Sequence, residues 1–291
     1  MNETPTALER PQDDKTGTLE TAPTRYIEGN GTRFAYRRLG PSTGTALVLL
    51  QHFSGNIDAW DPALVNALAV DRPVIAFDNA GVGRSTGQTP DNVAAMARDA
   101  ITFINRLGLS EVDLLGFSLG GFIAQQMAAE HGRLVRKLIL VGTAPKGGEE
   151  HLLASLQDAF SHTEAPDPRL PLFFTRSSAS QSAGLAFLRR VKARTEDRDT
   201  ENGQAVTDPQ AKALIAWCAT PDPENVMLRG ITQPALVVSG SHDTMLPADN
   251  AYAMFRAMSN AQLILYPDSG HGALFQHHKL FVNHVRTFLD A

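Results

Sequence analysis

Gly116-Phe117-Ser118-Leu119-Gly120-Gly121 joins two segments of different periodicity. Upstream, Val112-Asp113-Leu114-Leu115 reads as a short buried strand. Downstream, Phe122-Ile123-Ala124-Gln125-Gln126-Met127-Ala128-Ala129 carries apolar residues at helical spacing. A serine at such a junction sits on a sharp strand-to-helix turn, which needs small residues on both sides. Bulk at Gly116 or Gly120 would clash as the backbone doubles back, so the glycines are mechanical and Ser118 is the candidate nucleophile.

Two further motifs follow strand-like runs in the same way. Gly240-Ser241-His242-Asp243 comes after Ala235-Leu236-Val237-Val238, and Ser269-Gly270-His271-Gly272 comes after Gln262-Leu263-Ile264-Leu265-Tyr266. Serine, acid and histidine thus appear in the chain order of the α/β-hydrolase family. The chain resembles that family from about Tyr26 to its C-terminus, least between about Gly147 and Val226. The resemblance extends to Gln51-His52-Phe53-Ser54-Gly55 after Leu47-Val48-Leu49-Leu50, which is similar to the family's His-Gly oxyanion loop. Phe53 stands where glycine is common, so the backbone NH groups of Phe53 and Leu119 form the donor pair the resemblance implies. Asp78-Asn79-Ala80-Gly81-Val82-Gly83-Arg84-Ser85 resembles the family's Asp-x-x-Gly-x-Gly-x-Ser turn. Read as a dinucleotide loop it fails, because Thr86 stands where a glycine or alanine is required.

The 291 residues suit one large α/β domain with an insertion better than two independent domains. A hydrophobic content of 43% supports a sizeable core, and the dispersed net charge of −5 leaves no footprint for nucleic acid or an acidic membrane. The single cysteine, Cys218, rules out an internal disulfide and fits a reducing, cytoplasmic setting; it reads as a small packed residue and not a second nucleophile. No run is long enough to span a membrane. Residues 1–23 lack an apolar signal region and are expected to form a disordered leader.

The rest of the chain divides into core and insertion. Tyr26 to Leu39, with a turn at Asn30-Gly31, reads as a hairpin that opens the sheet. Asp61-Pro62 starts a helix to about Ala69, and the stretch from Asp91 through Leu107 makes another, ended by Gly108. Strands at Val74 to Phe77 and Lys137 to Val141 alternate with these helices, which predicts a mainly parallel sheet covered on both faces. Residues 24–146 and 226–291 are expected to be the two halves of an α/β-hydrolase core. Between them, 147–225 is expected to be a helical lid, with helices at His151 to Phe160, Ser182 to Thr195 and Asp208 to Ala219 and a proline-rich connection from Pro166 to Pro171. The second half continues with helices from Asp249 to about Met258 and from about Leu274 to Leu289.

The chemistry follows from what serine lacks. A neutral hydroxyl is a poor nucleophile and needs a base, here His271, whose other ring NH must be held by a carboxylate, here Asp243. Asp268 lies too near His271 in sequence to reach the far side of the ring and reads as a turn residue. His242 reads as a loop histidine. His277 and His278 lack metal-ligand spacing, so neither a metal nor another cofactor is implied. His52 is a candidate for shaping the oxyanion loop, and Phe173, Phe174 and Trp217 are candidates to contact an apolar acyl or alcohol group. Epoxide hydrolases and haloalkane dehalogenases of this fold use aspartate at the nucleophile position, so the serine here does not carry those activities over. The expected activity is hydrolysis of a small carboxylic ester or lactone by water. Perhydrolysis of the haloperoxidase type by the same triad, and ligand binding without turnover, are the alternatives.

Overall fold

The structure is a computed structural model that describes residues 17–148, Leu152 and residues 167–291. Eight strands form one sheet in the order β1-β2-β4-β3-β5-β6-β7-β8. They are β1 (Arg25–Gly29), β2 (Thr32–Leu39), β3 (Ala46–Leu50), β4 (Val74–Phe77), β5 (Val112–Phe117), β6 (Val135–Val141), β7 (Ala235–Gly240) and β8 (Ala261–Tyr266). The hairpin β1–β2 is antiparallel and meets β4 antiparallel, while β4, β3, β5, β6, β7 and β8 run parallel. Every residue of β3, β4 and β5 is buried, as continuous apolar strands must be when helices cover both faces.

The helices of the first half obey their sequence signals. Helix α1 (Pro62–Leu68) is capped by Asp61, whose side chain accepts from the Ala63 NH at 3.0 Å. Helix α2 (Val93–Arg106) is capped by Asn92 and buries Val93, Met96, Ala97, Ala100, Phe103 and Ile104, one stripe at helical spacing. Phe103 stacks on Phe77 of β4 with ring centroids 4.3 Å apart. Helix α3 (Leu119–Glu130) follows β5 with Ser118 as the only residue between them.

Between β6 and β7 the described residues contain helices and no strand: α4 (Arg169–Phe173), α5 (Ser178–Val191), α6 (Gln204–Ala219), a short 3₁₀ turn and α7 (Val226–Gly230). The helix expected over His151 to Phe160 falls outside the described residues except for Leu152. The connection expected from Pro166 to Pro171 instead begins α4 at Arg169, because a five-residue turn accommodates proline near its start. Helix α6 starts at Gln204 and not at Asp208. The Gly203 carbonyl already accepts from Val206 and Thr207, so Pro209 forfeits a single bond inside a turn that has formed. After β7 come α8 (Ala248–Ala257), α9 (Ala273–Gln276) and α10 (His278–Asp290), the last two separated at His277 where one continuous helix was expected.

The N-terminal expectation needs correction over its described part. Residues 17–23 lie on the core, with Leu19 2% and Ala22 1% exposed. Arg194 donates to the carbonyls of Glu20 and Ala22, and the Leu19 NH donates to Asn66. Composition predicted disorder because the segment's own residues are polar; its partners lie far away in sequence. No described helix is long and apolar enough to cross a membrane.

Candidate active site

Ser118 occupies the turn from β5 into α3 with φ 55° and ψ −118°, a left-handed conformation that a non-glycine residue adopts only when its surroundings enforce it. Three bonds enforce it: the Ser118 NH donates to Val141 at 2.9 Å, and the Ser118 carbonyl accepts from the Gly121 NH and the Thr143 hydroxyl. The flanking glycines permit the close approach. A Cβ on Gly116 would meet the Gly120 carbonyl, and one on Gly120 would meet the Leu50 carbonyl of β3.

The loop after β8 brings His271 to the same region. Its Nδ1–H donates to Asp243 Oδ2 at 2.8 Å, and both side chains are buried. The other oxygen of Asp243 accepts from the backbone NH groups of Met245 and Leu246 at 2.9 and 3.0 Å, which fixes the carboxylate plane. Nε2 of His271 is buried and has no hydrogen-bond partner among the described residues. Asp268, at φ 46°, accepts from the hydroxyls of Thr175 and Ser177, which hold its carboxyl below the usual carboxylate range; it does not reach His271. His242 bonds Ser241.

A cavity of about 230 Å³ lies beyond the carboxyl ends of β3 and β5, lined on one side by Ser118, His271, His52, Phe53, Phe173, Leu172 and Met245. Its polar side is made by Asp58, Asp167, Arg169, Arg198, Asp199, Glu201 and Asn202. Phe53 precedes Ser54, which turns the chain at φ 57°. Leu119 is the first residue of α3, so its NH has no acceptor within the helix. His52 is buried between Phe117 and Phe173, edge-on to both rings. Its Nδ1 lies 2.7 Å from the Phe53 carbonyl. Burial holds the imidazole down at about 3, with the Phe53 bond opposing and the Arg169 and His271 charges assisting, so it stays neutral.

Two of the aromatic candidates stand elsewhere. Trp217 stacks on Phe122 with centroids 5.1 Å apart and donates its indole NH to Ala144, while Phe174 packs on Phe187; neither lines the cavity. The Trp217 ring belongs to the packing between the inserted helices and the core, and the Phe174 ring to the packing within the insertion, against Phe187 and Gly184 of α5.

The polar wall was missed in the sequence, although the charged run Arg194 to Asn202 was its signal. Asp58 pairs with buried Arg37 at 2.6 Å and accepts from the Asp199 NH, and Arg84 pairs with both Asp197 and Asp199. Burial and the neighbouring Asp199 push the Asp78 carboxyl well above its ordinary value.

With this fold and site, the family match is direct: residues 45–278 match the model of the alpha/beta hydrolase fold, and the chain belongs to that family. An alpha/beta hydrolase fold protein from Chitinophaga pinensis superposes with a TM-score of 0.88 at 44% identity, covering 94% of this chain and 100% of the other. The enol-lactonase from Burkholderia xenovorans LB400 superposes with a TM-score of 0.73 at 21% identity over 92% of this chain and 100% of its own, a likeness of fold alone. Among curated relatives, a putative carbamate hydrolase of Rhizobium rhizogenes is 28% identical over 84% of this chain and 92% of its own length. A 2-hydroxymuconate semialdehyde hydrolase of Pseudomonas putida is also 28% identical, over 83% and 86%. The chain is a hydrolase of this fold.

Proposed function

We propose that the chain cleaves a small carboxylic ester or lactone through an acyl-enzyme on Ser118. The observation that carries this reading is the buried His271–Asp243 pair, which opens onto the same cavity as a serine held on a left-handed turn. In the proposed reaction Ser118 Oγ attacks the acyl carbon while its proton passes to His271 Nε2. Asp243 holds the tautomer and stabilises the imidazolium. The oxyanion is met by the NH groups of Phe53 and Leu119, the latter at the positive end of α3. Collapse breaks the acyl–oxygen bond, and the His271 proton goes to the leaving alkoxide. Water then repeats the sequence on the acyl-enzyme, returning Ser118 and releasing the acid.

The cavity volume of about 230 Å³ is below the roughly 300–1,000 Å³ of sites that bury drug-sized ligands, which favours a small substrate. The relatives' names cover a carbamate, a semialdehyde and an enol-lactone, so the choice of ester or lactone rests on the site. The test is intact-protein mass spectrometry after incubation with a small fluorophosphonate. One adduct is expected on the wild type and none on Ser118→Ala, whose ester turnover should fall by about 10⁵- to 10⁶-fold. An adduct that survives the substitution, or no adduct on folded wild type, would overturn the assignment and, in the second case, favour ligand binding without turnover.

A further inference from the structure

His52 has a second nitrogen that the proposed reaction leaves unused. A carbonyl oxygen only accepts, so the 2.7 Å contact with Phe53 places the imidazole proton on Nδ1 and leaves Nε2 as a lone-pair acceptor. Nε2 is buried and has no partner among the described residues, and the ring lines the same cavity as Ser118 and His271. Gly55, also in the cavity wall, stands beside this nitrogen: a Cβ there would lie 3.0 Å from Nε2 and closer still to the Gln51 side chain. The ring is clamped edge-on by Phe117 and Phe173, so it does not swing away to find water. Because the imidazole stays neutral across the range in which ester hydrolysis is measured, a proton does not occupy the lone pair.

We infer that His52 is a specificity-determining residue whose Nε2 accepts a hydrogen bond from an O–H or N–H group carried by the substrate near its scissile carbonyl, making hydroxy-substituted esters or lactones the favoured class. This inference rests on the proposed Ser118 chemistry and narrows it. A buried acceptor without a partner is costly, so a ligand that supplies the donor is preferred over an isostere that lacks it.

The test compares matched pairs by pH-stat: ethyl lactate against ethyl propionate, and ethyl 3-hydroxybutyrate against ethyl butyrate. At least one hydroxy ester should exceed its partner about tenfold or more in kcat/KM on the wild type, the scale of one neutral hydrogen bond. His52→Phe keeps a flat ring between Phe117 and Phe173 but offers no acceptor, so both members of a pair fall and their ratio moves to about one. His52→Gln, which restores an amide oxygen, should recover part of the ratio. A merely structural role would lower both rates and leave the ratio alone. No preference on the wild type, or a preference unchanged in His52→Phe, overturns the inference. Fluorophosphonate labelling of Ser118 without turnover of either member also overturns it, while leaving the nucleophile in place; absence of both labelling and turnover removes the hydrolytic reading itself.

Discussion

Ser118 is held where serine is uncomfortable, and the discomfort is measurable. At φ 55° a Cβ is strained by about 1–3 kcal/mol, and glycine adopts the same angles without that cost. Ser118→Gly is therefore expected to raise stability by about 1 kcal/mol in urea denaturation while abolishing activity, whereas Ser118→Ala keeps the strain and gains nothing comparable. Equal stability of the two variants would contradict strain at Ser118. His52 gives a pH signature of opposite use. Its folded value of about 3, set chiefly by burial, lies below the ordinary 6.5, so the unfolded chain binds the extra proton between those values. The stabilisation is whole above pH 6.5 and is lost as pH falls toward 3, at up to roughly 1.4 kcal/mol for each pH unit. Urea midpoints between pH 7 and 4.5 should decline less steeply in His52→Phe than in the wild type; identical slopes would mean that the imidazole is not desolvated.

At the scale of elements, the site exists because α3 starts against the end of β3. Gly120 lies so close to the Leu50 carbonyl that no side chain fits, and neither backbone is free to yield. Gly120→Ala is expected to cost about 3 kcal/mol or more, read as a lowered urea midpoint, with activity lost in the folded fraction. A tolerated alanine would show that the two elements move apart easily. The need for small residues at this turn was legible beforehand, since a strand pattern, a glycine-flanked serine and a helix pattern stood in direct succession; that Gly120 meets β3 was not. The start of α6 was not legible, because Pro209 looks like a first-turn residue until the Gly203 carbonyl is seen to accept from Val206 and Thr207. The break between α9 and α10 was hidden for a similar reason: His277 takes non-helical angles, φ −103° and ψ 31°, within a run whose apolar spacing continues through it.

Across the whole molecule, distant segments close over the cavity through charge and backbone as well as through apolar contacts such as those of Phe173 with Phe117 and His52. Arg37 on β2 holds Asp58 and reaches the carbonyls of Leu19 and Asp197, while Asn202 donates to Ser54 and accepts from Gly83. Residues 17–23 are part of this clasp. A chain beginning at residue 24 would lose the burial of Leu19 and Ala22 and leave the Arg194 guanidinium without two acceptors, and should be about 2–4 kcal/mol less stable. An unchanged urea midpoint would show that these residues rest on the surface without supporting it. The sequence by itself determined the sheet, the order Ser118, Asp243, His271 and the glycines of the turn, because strands, helices and sharp turns are written in local periodicity and in residues that only one backbone shape suits. The tertiary structure alone decided the cavity's polar wall, the removal of Trp217 and Phe174 from it, the ordering of residues 17–23 and the neutrality of His52. Each of these depends on which groups from separate parts of the chain meet or on how fully water is excluded, of which local sequence carried no more signal than the charged run Arg194 to Asn202.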